Sequence, residues 1–304
     1  MLALVAACSS TSSPAPALTQ SATPSPSSSP TASPTASPTA VPTTARPAAA
    51  QGITKVLTLV EENHGLASAR SGMPYLASLA TRYGEATAYR SLTHPSLPNY
   101  LALTAGSTLG IHDDGGPSSH PVSGPSVFDL ALRTGHTAKV YAESMPSNCA
   151  RASGGRYAAR HNTWTYFPAS TGCKALDVPA GAIDADVRAG TLPNVGMLIP
   201  DLCHDAHDCS LGQADGYLRD VMRTVLSGPD WRAGRLAVVV TFDEVGGSGS
   251  GTLLTVVVAP SLHGVRVSTP LSHLSWCRWM TDLVGAPPLR DAARATSLGK
   301  AFHL

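Results

Sequence analysis

The chain has 304 residues, with 21 Lys+Arg against 20 Asp+Glu, 25 Pro and 27 Gly, and only 13% of its residues are charged. Residues 9–50 are almost wholly Ser, Thr, Pro and Ala with Arg46 as their one charge, so residues 51–304 carry 20 charges of each sign and all 11 His. That balance argues against a general nucleic-acid binder, which shows a basic excess, and no apolar run reaches the roughly 18 residues of a membrane-spanning helix.

In chain order, Met1–Ala7 reads as the end of a secretory signal, and Val5-Ala6-Ala7-Cys8 as a lipobox whose Cys8 takes the lipid. The basic n-region is missing and the apolar stretch is short, as expected if translation starts further upstream. The tract that follows repeats Ser-Pro-Thr-Ala at Ser29–Ala32, Ser33–Ala36 and Ser37–Ala40. Such a composition buries too little apolar surface to offset the entropy of ordering. It reads as an extended tether, roughly 130 Å long at full stretch at ~3.1 Å per residue. The expected plan is a residual signal at 1–7, Cys8 and a disordered tether over 8–50, and one folded domain over 51–304. This places the protein outside the cytoplasm, secreted or held at the membrane by its N-terminal lipid.

Within 51–304, Val- and Leu-rich runs predict buried strands at Val56–Val60, Val195–Ile199, Leu236–Phe242 and Leu253–Ala259, with a weaker one at Lys139–Ala142. Between them, helices are predicted at Pro74–Tyr83, Leu97–Ala105, Val127–Arg133, Gln213–Leu226 and Ser272–Val284. Strands alternating with helices predict an α/β sandwich. Two strands end in acids, Glu61-Glu62-Asn63-His64 after Val60 and Asp243-Glu244 after Phe242. Sites in open α/β sheets form beyond the carboxyl ends of strands, so these acids predict a shared site. An extracytoplasmic location permits disulfides, with Cys203–Cys209 stapling the loop 201–210 and Cys149–Cys173 closing a second. Cys277, in a predicted helix, is then a buried free thiol.

The sharpest segment is Thr93-His94-Pro95-Ser96-Leu97-Pro98-Asn99-Tyr100. Ser96 precedes an apolar helical stretch with Pro98 in its first turn, which predicts an N-cap. Its hydroxyl would face free backbone N–H groups and the positive end of the helix dipole, where a phosphate is favoured. Asn99 is placed to donate its amide to the same anion.

Val60-Glu-Glu-Asn-His-Gly65, Thr93–Tyr100, Tyr141-Ala-Glu143, Pro200–Asp208 and Val240-Thr-Phe-Asp-Glu244 follow one another as in the bacterial phosphoesterase family, which includes secreted acid phosphatases and phospholipases C of the alkaline-phosphatase superfamily. The chain resembles that family over roughly Lys55–Pro288. The resemblance implies an alkaline-phosphatase-like three-layer α/β sandwich with a central mixed, mainly parallel sheet flanked by helices. It implies a divalent metal ion held by Glu62, Asn63, Asp243 and Glu244, with Ser96 as nucleophile and Asn99 and His207 assisting. Oxygen donors of this kind suit Ca²⁺, Mg²⁺ or Mn²⁺, with Zn²⁺ admitted where His is near. His94, His112, His161, Asp208 and His273 are expected on the phosphate or substrate. The sequence departs from the family at Thr163, where relatives carry Pro, and in the Gly-Ser run after Glu244, where relatives tend to carry further acids. The implied reaction is hydrolysis of a phosphate monoester through a phosphoseryl intermediate, with a small phosphorylated molecule, a phospholipid or a phosphoinositide as substrate. Rival readings are a phosphodiesterase or phospholipase C, a lipoprotein that binds a phosphorylated ligand without turnover, and a cell-wall stalk.

Overall fold

The runs at 56–60, 195–199 and 236–242 have no polar face to give to water, and in the computed structural model each lies in a buried strand. The structure describes residues 52–247 and 250–304. The signal segment, Cys8 and the tether at 8–50 lie outside the described residues. In chain order the strands are β1 (Lys55–Glu61), β2 (Gly84–Ala86), β3 (Tyr89–Arg90), β4 (Ala138–Ala142), β5 (Asp177–Pro179), β6 (Val195–Ile199), β7 (Leu236–Phe242), β8 (Thr255–Val258), β9 (Val265–Val267) and β10 (Leu271–Ser272). The helices are α1 (Leu66–Gly72), α2 (Pro74–Arg82), α3 (Ser96–Ala105), α4 (Val127–Arg133), α5 (Cys173–Leu176), α6 (Ile183–Ala189), α7 (Leu211–Val225), α8 (Pro229–Arg232), α9 (His273–Leu283) and α10 (Leu298–Ala301).

Eight strands form one sheet in the order β5-β4-β6-β1-β7-β8-β2-β9, and β3 pairs with β10 apart from it. From β5 to β7 every pairing is parallel. β8 runs antiparallel to both β7 and β2, which makes the sheet mixed. The run predicted over 253–259 pairs only at Thr255–Val258, while Leu253, Leu254 and Ala259 are buried beside it. Strands β2 and β9 escape a pattern reading because they are three residues long and carry Glu85 and Arg266. Buried Glu85 pairs with Arg70 and, at 3.2 Å, with Arg266.

One set of helices, α3, α4, α9 and α10, packs together, and α1, α2, α6, α7 and α8 form a second set. The pleat of β1 sends alternate side chains to opposite faces. Thr58 meets α9, where its hydroxyl accepts from Trp276 Nε1 at 2.8 Å. Two pleats further on, Glu62 faces α3. Glu61 turns to the other face, fully buried, where burial and then Asp205 and Asp215 hold its carboxyl well above the usual range. One of the two adjacent glutamates is therefore delivered to the predicted site, and the other is not. The Ser210 capping box that starts α7 and the Ser272 box that starts α9 set those helices within two residues of their predicted bounds.

Candidate active site

Because β1 lies between β6 and β7, three loops leave neighbouring strand ends. Backbone bonds tie them together. Asp243 N–H donates to the Glu61 carbonyl at 3.0 Å, and Glu62 N–H to the Asp205 carbonyl at 2.7 Å. Asn63 N–H donates to Asp243 Oδ1 at 2.9 Å. Asn63 sits at φ 57°, a left-handed conformation that Asn tolerates. Gly246 is required beside it, since a Cβ there would lie 2.7 Å from the Asn63 carbonyl oxygen. The glycines after Glu244, a point where the sequence departs from the more acidic relatives, thus include a close-packing position.

Ser96 is not the predicted N-cap. It is the first residue of α3, Pro95 holds the cap position, and the Ser96 hydroxyl donates to Glu62 Oε2 at 3.0 Å. Helix capping falls instead to Asp114, whose Oδ1 accepts the Leu97 N–H at 2.9 Å. The cap is supplied by a loop 17 residues downstream, which no local pattern around Ser96 announces. The serine hydroxyl is thereby free for the carboxylates. Burial raises the Asp243 pKa, and the nearby Asn63 N–H and Ser96 hydroxyl oppose part of that rise.

Asn99 has no amide to offer an anion. Its Nδ2 donates to the Thr93 and Pro95 carbonyls at 2.8 and 3.2 Å, and its Oδ1 accepts from the backbone of Leu92 and Thr93 at 3.1 and 3.3 Å. The residue is fully buried. It braces the loop that presents Ser96.

Glu62 Oε1 accepts from the Tyr100 hydroxyl at 2.6 Å. Tyr100, one turn after Ser96, stacks on His161 with ring centroids 5.0 Å apart. His161 approaches Asp205 Oδ2 at 3.2 Å and Glu62 Oε1 at 3.4 Å. Burial pushes Glu62 well above the usual carboxylate range, helped by Asp243 and Asp205 and opposed by the Tyr100 and Ser96 bonds. Burial also lifts Asp205 and Asp243 to about 7 each. His161 is held well below its usual value by burial and by Arg160, so its ring is neutral.

Asp243 Oδ2, Asp205 Oδ2, Asn63 Oδ1 and His161 Nε2 are buried without a hydrogen-bond partner. Among the described residues no Lys or Arg pairs with Glu62, Asp205 or Asp243. Buried like charges with orphaned donor atoms are unstable unless a cation joins them. The donor set of carboxylate, carboxamide and neutral imidazole therefore fits a divalent metal ion. Glu62, His161 and Asp205 bring ligand atoms within 4.8 Å of one another. Asp205, His161 and Tyr100 were not named as ligands or supports from sequence. Asp205 stands in the Pro200–Asp208 segment that carries the family resemblance, and that is its only signal in the sequence. Glu143, Asp201 and His204 form another such group, but His204 Nδ1 is already bonded to Glu143 at 2.9 Å and Asp201 accepts from Ser144 at 2.8 Å.

Above this base opens a cleft of about 330 Å³ lined by Asn63, His94, Ser96, Asp114, His207 and Glu244 among others. His94 Nδ1 lies 2.7 Å from Glu244, so the two stand paired on the cleft wall. His207 Nδ1 bonds the exposed Asp208 at 2.7 Å. Three expected substrate contacts lie elsewhere. His161 is below Ser96, among the carboxylates. His273, fully buried, contacts the Asp243 carbonyl through Nε2 at 2.6 Å and the Tyr89 hydroxyl through Nδ1 at 3.1 Å. Burial lowers His273 to about 4, so Nε2–H donates to the carbonyl, Nδ1 accepts from Tyr89, and the residue holds Asp243 in place. His112 is exposed in the loop before Asp113 and is not part of the cleft wall.

Both expected disulfides are present, Cys149–Cys173 and Cys203–Cys209. The second clamps the loop that carries Asp205 and His207. Cys277 is free and buried.

A family model described as the phosphoesterase family matches residues 67–249, a span that holds Ser96, His161, Asp205, Asp243 and Glu244. The chain is 30% identical over 247 residues to a phosphatidylinositol-3-phosphatase of Mycobacterium tuberculosis, covering 79% of this chain and 80% of that one. It is 27% identical to a probable acid phosphatase of Kluyveromyces lactis over 67% of this chain, and spans only 52% of that longer relative. Its fold matches an alkaline-phosphatase-superfamily protein of Vibrio parahaemolyticus with a TM-score of 0.55 at 11% identity, over 82% of this chain and 70% of the other.

Proposed function

The chain belongs to the phosphoesterase family and is a phosphoric ester hydrolase, and from that premise we propose that it hydrolyses phosphate monoesters with Ser96 as nucleophile and a divalent metal ion at Glu62, Asn63, Asp205 and Asp243. The observation that carries this reading is the Ser96 hydroxyl, which donates to Glu62 Oε2 at 3.0 Å beside an Asp243 Oδ2 that has no partner. A bound divalent ion supplies Lewis-acid polarisation and lowers the pKa of a neighbouring hydroxyl. Glu62 fixes the direction of the Ser96 O–H bond, and Asn99 fixes the loop that holds it. The Ser96 oxygen then forms a bond to phosphorus as its proton passes to Glu62 and the ester P–O bond breaks, the alcohol leaving as it takes up a proton; water attacks the phosphoseryl group, releasing inorganic phosphate and restoring the Ser96 hydroxyl.

The assignment includes Glu244 paired with His94 and leaves His112, His273 and Asn99 out of direct contact. Small phosphorylated molecules are the substrate class, and the M. tuberculosis relative's name favours a phosphoinositide among them. We place the protein outside the cytoplasm, secreted or anchored through Cys8, and the two disulfides support an oxidising compartment. Among the described residues no helix is long and apolar enough to cross a membrane.

The test is hydrolysis of p-nitrophenyl phosphate and of its bis-ester by the full chain, after chelation and after return of Ca²⁺, Mg²⁺, Mn²⁺ or Zn²⁺ singly. Activity on the monoester that is lost with chelator and restored by one ion supports the reading. Activity indifferent to chelator overturns the metal role, and a preference for the bis-ester overturns the substrate class.

A further inference from the structure

A phosphate monoester brings two negative charges to a cleft already walled by Asp114 and Glu244 and floored by Glu62 and Asp243. A metal ion offsets part of that charge. Among the described residues, Arg160 is the one Lys or Arg whose side chain makes a polar contact with a cleft-lining residue. Its Nη2 lies 3.0 Å from His207 Nε2, and its Nε lies 3.8 Å from Asp114 Oδ2.

On its other ring nitrogen His207 contacts Asp208 Oδ1, at 2.7 Å. Both ring nitrogens of His207 are therefore engaged, and the permanent positive charge beside that wall of the cleft is Arg160. The Arg160 Nε is also buried without a hydrogen-bond partner. The 3.8 Å to Asp114 is too long for a hydrogen bond, so this donor is left unused.

The segment bearing Arg160 is fixed from below. His161 stacks on Tyr100, and Asn162 Nδ2 donates to both Asp177 oxygens at 2.9 Å. Ala159 N–H donates to Ser153 Oγ at 2.9 Å. A planar fork on a rigid base, with one buried donor lacking a partner and another resting on the His207 ring, suits bidentate recognition of two non-bridging phosphate oxygens once it swings off that ring.

We propose that Arg160 is the substrate-phosphate clamp of this cleft, its guanidinium leaving His207 to donate to a phosphate monoester dianion, with His207 as the rest for the guanidinium between turnovers. The proposal rests on the reading of the cleft as a phosphoester site. It also moves the phosphate-binding role from His207 to the arginine held against it.

The experiment uses the full chain loaded with metal, as wild type, Arg160→Ala and Arg160→Lys. It measures p-nitrophenyl phosphate kinetics, and inorganic phosphate binding by calorimetry. Arg160→Ala is expected to lower kcat/KM by about 100-fold, the scale of losing one preorganised donor, and to weaken phosphate binding at least about tenfold. Arg160→Lys keeps the charge without the fork and is expected to recover only part of the loss. Added guanidinium ion restores activity to Arg160→Ala and leaves wild type unchanged, which a merely structural role would not produce.

Wild-type phosphate affinity in Arg160→Ala overturns the clamp. If that variant does not fold, wild-type phosphate affinity in Arg160→Lys overturns it equally. A wild-type protein that hydrolyses no phosphate monoester overturns the reading of the cleft. The phosphate titration still decides the clamp in that case, because phosphate bound by wild type and lost by the variants upholds it, and no binding by wild type refutes it.

Discussion

Replacing Tyr100 with Phe removes one hydroxyl and leaves the ring stacked on His161. That hydroxyl donates to Glu62 Oε1 at 2.6 Å, and both residues are fully buried, so water cannot replace the lost bond. A hydrogen bond to a charged group contributes about 1.5–3 kcal/mol, and the buried setting puts this one at about 2–3 kcal/mol. For a domain of this size that lowers Tm by about 4–12 °C. The effect reaches the metal as well. The Tyr100 bond pulls the Glu62 pKa down against burial, so Tyr100→Phe makes the carboxyl hold its proton more tightly and compete less well for a cation. Loss of such an outer support weakens metal binding by about tenfold, and more at acidic pH than at pH 8. Urea unfolding with and without metal, together with calorimetric metal titration at two pH values, measures both parts. A variant with wild-type stability and wild-type metal affinity would refute the claim that Glu62 is a ligand oriented by Tyr100.

Asn99→Ala strips four hydrogen bonds from the loop at 92–95 and is expected to cost about 3 kcal/mol in urea unfolding, with a fall in kcat at unchanged phosphate affinity. Weakened phosphate binding would return Asn99 to the anion. Burial raises Asp177 to about 7, well above the ordinary Asp value of about 3.9, so the folded state keeps a proton that the unfolded chain has lost, and stability falls as pH rises from about 4 to about 7. At about 1.4 kcal/mol per unit, the difference between wild type and Asp177→Asn across that window is up to about 4 kcal/mol. Equal unfolding slopes in the two proteins would contradict the assigned burial effect. His112→Ala is expected to change kcat/KM less than twofold, and a tenfold loss would bring that loop into the cleft.

The centre of the sheet was readable because β1, β6 and β7 are buried on both faces, so their sequences are continuous apolar runs. Pattern alone could not place Glu61 and Glu62, since it does not say which face a pleat presents at a strand end. The packing of Thr58 against Trp276 decides it. Asn99 was misread for a similar reason. Helical spacing puts it three residues after Ser96, and only the fold-back of residues 92–95 shows that the amide is consumed by that loop. Tyr100, His161 and Asp205 come from α3 and two distant loops; the family resemblance puts His161 at the site, but as a substrate contact, and local sequence does not show that the three converge on Glu62. Arg160 and Asp114 belong to the same class. Each gains its meaning from a partner, His207 or the Leu97 N–H, that lies far away in the chain.

The claim on which the account turns is that Ser96 takes the phosphoryl group. Rapid mixing of the metal-loaded protein with p-nitrophenyl phosphate, acid quenching and peptide mass spectrometry measures this directly. The account predicts a phosphoryl group on the peptide containing Ser96, formed in the first turnover and absent in Ser96→Ala, which also loses hydrolysis. Hydrolysis at the wild-type rate by Ser96→Ala, or phosphorylation of another residue in the wild type, would contradict it.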